Sequence, residues 1–242
     1  MDFFIFVLFV CFFIFLFCLH FLSRDDFVLL RRDISIERVF NIAFIVGALS
    51  LFSSRILYVA LNPSEKFLNP LVFFLIPYYS GLSLIGGVVG GFLTLLLLSR
   101  LKKMPEGRFL DFFSISTLSA MPIGFLGLLL LRGKNFSLVF VVLALIYFAL
   151  FVLFIKVLLP RLLEGKFKDG TIGFIFLISF CIISLIENAI DRGVKNLFNP
   201  RIEDFVLLLI FFVSLVFLFR QEKLLTKVKR LNFKNIAGLT KR

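Results

Sequence analysis

The chain has 242 residues, of which 60% are hydrophobic, with 37 phenylalanines, no tryptophan, a mean hydropathy of +1.06 and a formal net charge of +12. Soluble domains are about 45–50% apolar, so this composition excludes an ordinary water-soluble globule and predicts an all-α integral membrane protein solvated by the lipid bilayer. Cys11, Cys18 and Cys181 lie in apolar runs without a C-x-x-C pair, which argues against a disulfide framework or a zinc site, and no cofactor is expected.

Apolar runs of spanning length, about 20 residues each, fall near 3–22, 38–61, 79–99, 110–131, 137–159, 171–189 and 203–220. They predict seven transmembrane helices in a single polytopic domain over residues 1–220, followed by a basic cytoplasmic tail over 221–242. The first run resembles a signal peptide in length, but it has no basic n-region and no small-residue cleavage site, and reads as a retained helix. Residues 69–77, between Pro70 and Pro77, are too short to span and read as a re-entrant or interfacial segment.

Lys and Arg set the orientation. The loops after the first, third and fifth runs, with the tail after the seventh, carry 20 of the 27 basic residues. The intervening loops carry 6, and Arg55 is left inside the second run. This alternation places the N-terminus outside and the C-terminus in the cytoplasm. It also accounts for the net charge, since cytoplasmic basic residues face anionic lipid, and no nucleic-acid partner is expected.

Within the third run, residues 80–91 read Ser-Gly-Leu-Ser-Leu-Ile-Gly-Gly-Val-Val-Gly-Gly, five glycines in twelve residues. Glycine gives up more backbone freedom than any other residue on entering a helix, so such a stretch predicts close backbone approach to a second helix or to a ligand. Pro77, Tyr78 and Tyr79 just before it predict a break in the chain rather than a continuous helix. We read the stretch as the floor of an intramembrane site.

Several polar residues lie where the bilayer makes them costly. Arg55, beside Ser53 and Ser54, sits about one and a half turns from the outer end of the second run, either snorkelling to the headgroups or serving a site. Arg132 and Asn135 occupy a short outer loop, where a guanidinium fork suits phosphate and an asparagine suits a glycerol hydroxyl; a plain hairpin with an interfacial charge is the alternative. Glu187, with Asn188, Asp191 and Arg192, closes the sixth run on the same side, either as a base or pairing carboxylate or as a solvated helix end. His20, the single histidine, lies at the opposite end, and Asp111 opens the fourth run there, where a carboxylate suits a helix N-terminus. The phenylalanine-rich faces read as lipid contact. An apolar cavity with arginines at its outer mouth would suit a phospholipid.

Residues 80–91 resemble the glycine-rich signature G-[LM]-S-F-H-G-G-x-x-G of the prolipoprotein diacylglyceryl transferases, bacterial membrane enzymes. Ser54-Arg55-Ile56-Leu57-Tyr58-Val59 resembles the family's G-R-x-x-Y-V, and Asn69-Pro70-Leu71 follows at a fitting distance. Arg132-x-x-Asn135-Phe136 is similar to its G-R-x-G-N-F, although a register through Pro122 and Gly124 would place Leu129 at the arginine position. The late R-F-x-x-E-x-x-R is matched at Glu187, with Arg192 two residues out of step. The likeness covers residues 38–220. Ile85 stands where the family has a histidine, the family's tyrosine near the start of the first helix has no counterpart, and Leu131 and Lys134 replace two glycines.

The resemblance implies seven helices in a bacterial plasma membrane. It implies transfer of a diacylglyceryl group from phosphatidylglycerol to the lipobox cysteine of a prolipoprotein signal peptide. Arg55 and Arg132 would hold the phosphate, Asn135 and Ser83 would help place it, and the Gly86-Gly87 backbone would admit the headgroup. Glu187, the substrate phosphate or water would take the thiol proton in place of a histidine. Two other readings stay open: a relative that kept the lipid cavity as a binding or scaffold protein without catalysis, and a small transporter with glycine-broken helices.

Overall fold

The computed structural model describes residues 2–63, 81–132, 138–192 and 201–222. Its helices are α1 (Asp2–Arg24), α2 (Phe27–Arg31), α3 (Ile36–Leu61), α4 (Leu84–Leu101), α5 (Glu106–Arg132), α6 (Leu138–Leu153), α7 (Leu159–Leu163), α8 (Thr171–Arg192) and α9 (Ile202–Glu222), and a π-helical turn, Phe154–Leu158, joins α6 to α7 in one rod. The protein is all-α. Seven of these rods are long and apolar enough to cross a membrane, as the sequence predicts. The segment 69–77, Asn135 and the basic tail beyond Glu222 lie outside the described residues, as does the side chain of Arg132.

Helix α5 is the hub, packing against α1, α4, α6 and α8, while α3 pairs with α4 and α8 with α9. In the most apolar stretch of α5 and of α8, 44% of the residues are buried, against 6% for α1. Helix α1 turns Phe6, Phe9, Phe13, Phe17 and Phe21 outward, all more than half exposed, as a lipid-facing ladder at helical spacing. Its other side lies along α5, where Val7 fills the space above Gly127.

The rod formed by α6 and α7 keeps one face inward over its whole length. Leu143, Tyr147, Phe154, Leu158 and Leu162 are all buried. Nineteen residues separate Leu143 from Leu162, one more than five α-helical turns take up. The π turn, with its i to i+5 bonding, absorbs the odd residue and holds the inward stripe in line.

The glycine stretch departs from its predicted bounds. Helix α4 starts at Leu84 rather than near residue 79, because Ser83 caps it: its hydroxyl accepts the Gly86 amide at 3.3 Å. Residues 81–83 approach in non-helical conformation, as the expected break requires.

Candidate functional site at the outer end of the bundle

Helices α3 and α4 meet along a seam of small residues. A Cβ on Gly86 would stand 2.8 Å from the Leu57 Cβ and 2.9 Å from the Ser53 carbonyl oxygen, and one on Gly90 would run into Ser53. Across the seam the Ser50 hydroxyl donates to the Gly87 carbonyl at 2.7 Å. Gly86 and Gly87 therefore face α3. Their missing side chains make room for a neighbouring helix, and neither is among the residues lining the cavity described below.

The seam continues into residues 81–83, which α3 holds by their backbone. Ser54 donates its hydroxyl to the Ser83 carbonyl at 2.7 Å, and the Ser83 amide donates to the Ser54 carbonyl at 3.2 Å. Arg55 donates from Nη1 to the Gly81 carbonyl at 2.7 Å, with its guanidinium 5.9 Å from the centre of the Tyr58 ring. Only 1% of Arg55 is exposed, so it does not snorkel to the headgroups. A charge at this depth requires close partners, and the carbonyl and ring supply them. Arg55 is thereby placed to fix the chain that enters α4.

Residues 82–85 form one wall of a cavity of about 290 Å³ at the outer end. Tyr58 and Asn62 come from α3, Phe125 and Leu128 from α5, and Phe140 from α6. Ser184, Glu187 and Asn188 come from α8, and Glu203 from α9. The sequence-selected Ser83 and Glu187, together with Ile85, thus share one space although Glu187 lies about a hundred residues further along the chain. Arg55 stands behind this wall, and α5 ends on the same side at Arg132. Asp204 braces the rim, accepting from Asn188 Nδ2 at 3.0 Å and from the Arg201 amide at 2.9 Å.

Sequence reasoning did not single out one buried polar residue nearby. Tyr147 on α6 is 1% exposed and stacks on Phe125 at 5.3 Å between ring centres. Its hydroxyl has no hydrogen-bond partner among the described residues. Ser184, also missed, shares a helix face with Glu187, three residues on along α8, which was the one available signal for it.

The opposite end is built differently. One oxygen of Asp26 caps α2, accepting the Val28 and Leu29 amides at 3.1 Å each. The other oxygen takes Arg108 at 2.9 Å from Nε and 2.7 Å from Nη2, and Arg108 Nη1 reaches Asp169 at 3.2 Å. Asp111 does not serve the helix that carries it. Its carboxylate crosses to accept the Gly170 and Gly173 amides at 2.7 and 2.9 Å, and so holds the start of α8. Glu222 accepts the Lys168 amide at 2.9 Å and the Thr171 hydroxyl at 2.6 Å. His20 also lies at this end, stacked on Phe40, remote from the cavity.

Comparison of the chain with protein-family models, with curated proteins and with solved structures gives no match.

Proposed function

We propose that the outer cavity binds phosphatidylglycerol and that the chain transfers its diacylglyceryl group to the lipobox cysteine of a prolipoprotein signal peptide, in a bacterial plasma membrane. One observation carries this reading. Ser83, Ile85 and Glu187, distant in sequence and singled out by the transferase resemblance, line a single cavity at the outer end. In the reaction the thiol proton passes to the Glu187 carboxylate. The thiolate sulfur then attacks the glyceryl carbon bonded to phosphate, and that carbon–oxygen bond breaks as glycerol phosphate leaves with the electron pair. Arg132 and Asn135 stabilise the departing phosphate. Arg55 acts as a positioning residue, holding the Gly81 carbonyl and so the wall that contains Ser83. An ordinary thiol, with pKa about 8.5, is a few per cent ionised at neutral pH, so the histidine replaced by Ile85 slows the reaction without abolishing it.

The same Ile85 supports a second reading. An aliphatic side chain lines the cavity where the resemblance calls for a base, which suits a lipid-binding relative without transfer. Complementation of a transferase-depleted bacterium separates the two, with the mass shift of a prolipoprotein on a gel as readout. Rescue by the wild-type chain, lost in Glu187→Gln and Arg132→Ala, is the expected result. Absence of rescue despite good membrane expression would rule out transfer, and rescue gained only with Ile85→His would establish the lipid-binding relative.

A further inference from the structure

Much of the polar lining of the outer cavity comes from helix ends at one level of the bundle. Asn62 closes α3, Ser83 caps α4, Asn188 lies in the last turns of α8 and Glu203 in the first turn of α9. Asp204 fixes how one of these residues faces. It is 3% exposed, and its carboxylate accepts Asn188 Nδ2 at 3.0 Å and the Arg201 amide at 2.9 Å. A carboxylate only accepts, so the Asn188 amide stands one way round, with its carbonyl oxygen on the side away from Asp204. Asn62 is held in the same sense, its Nδ2 donating to the Tyr58 carbonyl at 3.2 Å. We infer that the cavity takes the hydrogen-bond-donating end of a lipid headgroup, with Asn62, Asn188 and Glu203 as accepting residues and Asp204 as the residue that positions Asn188.

Three features select this end of the lipid. The first is the balance of donors and acceptors. The described lining holds the carboxylates of Glu187 and Glu203 and two side-chain amides whose amino groups already donate to the protein, and it holds no lysine, arginine or histidine. An O–H or N–H group meets acceptors there, whereas a phosphate would set acceptor against acceptor and like charge against like. The second is size. A cavity of about 290 Å³ stands at the small end of the range for ligand pockets, about 300–1,000 Å³, which suits a headgroup and leaves the acyl chains to the bilayer. The third is position. Helix α5 ends at Arg132 on the same side, so with the phosphate at Arg132 the terminal groups of the head are the part that reaches inward. The hydroxyls of a polyol and the N–H groups of a primary ammonium both meet this requirement, and the test separates them.

The inference rests on the lipid-binding part of the proposed function, and its test keeps the two apart. The full chain, purified in detergent, is titrated with four lipids of identical acyl chains, and binding is read by native mass spectrometry. Phosphatidylglycerol and phosphatidylmethanol carry the same charge, but only the first has headgroup hydroxyls. Phosphatidylethanolamine and phosphatidylcholine differ likewise in N–H groups. The wild type is expected to bind phosphatidylglycerol about three- to tenfold more tightly than phosphatidylmethanol, the span of one neutral hydrogen bond. A preference within the second pair alone upholds the inference and assigns the cavity to an ammonium. Asn188→Leu is expected to bind both members of the preferred pair alike. Asp204→Asn can donate, which lets Asn188 turn round. It is expected to lose the same preference while still binding the donor-free lipid, a pattern that a merely structural loss would not give. Glu203→Gln is expected to narrow the preference and serves should the other two variants fold poorly. A wild type that discriminates within neither pair, or an Asn188→Leu that still discriminates, overturns this inference and leaves lipid binding standing. Binding of none of the four lipids by the wild type overturns both.

Discussion

The two ends of the bundle handle buried polarity in opposite ways. At the end that the charge distribution assigns to the cytoplasm, Asp26, Arg108, Asp111, Asp169 and Glu222 are matched with one another or with backbone amides, and they tie α2, α5, α8 and α9 into a closed clasp. At the outer end Glu187, Glu203, Ser83 and Ser184 line an open space. Every polar group in the clasp is placed to finish the fold. A membrane bundle with one well-tied end can hold the other end open, because the helices are already registered from below.

That contrast breaks most severely at Asp26. Asp26→Ala removes the cap of α2 and leaves Arg108, 5% exposed, without its closest counter-charge. Loss of one partner of a buried pair costs about 3–5 kcal/mol, and thermal unfolding in detergent should show a larger fall for Asp26→Ala than for any substitution in the seam or the cavity. If the midpoint is unmoved, the clasp is not what orders the bundle.

Next in size is the seam that carries the cavity wall. Gly86→Ala drives a methyl group against Leu57 and the Ser53 carbonyl, and overpacking of this kind costs about 1–3 kcal/mol. Gly87→Ala is the control: the nearest atom to its added Cβ is the Ser50 hydroxyl at 3.6 Å, an ordinary contact. The gain in helix propensity then dominates, by up to about 1 kcal/mol. A stabilised Gly86→Ala, or a destabilised Gly87→Ala, would contradict the packing described for α3 and α4.

A smaller effect on stability belongs to the cavity itself. Glu187→Gln keeps the shape of a partly buried side chain and should cost less than the roughly 3–5 kcal/mol of a broken buried pair, although under the proposed function it abolishes transfer. Measured beside Asp26→Ala, it puts the same loss of a carboxylate at each end of the molecule. Equal destabilisation of the two would erase the distinction between them.

Much of this organisation was legible in the sequence. Seven spans, the break before α4 and the weight on Arg55 follow from apolar run length, glycine density and the cost of a buried charge. The partners of those residues were not legible. Gly86 and Gly87 could face a helix or a ligand by the same rule, and only the position of Ser50 and Leu57 decides between them. Asp111 reads as serving its own helix end, because a local dipole argument is visible in one dimension, whereas its contact with Gly170 and Gly173 spans about sixty residues. Asp26 stands one residue before an apolar run, a recognisable capping position, yet nothing local announces Arg108 as its partner. Tyr147 lies in an unbroken apolar run with no neighbouring polar residue, so its burial against Phe125 is set by tertiary packing that the run does not announce.

The π turn at Phe154–Leu158 has a consequence for how the chain tolerates change in length. It already contains one residue more than a regular helix needs, so removal of a single residue there would let the rod relax into continuous α-helix with both ends still facing the core. The same deletion placed near Leu145 would rotate the outer turns by about 100° and swing Leu143 out of the core. The rod thus carries one residue of slack at the π turn.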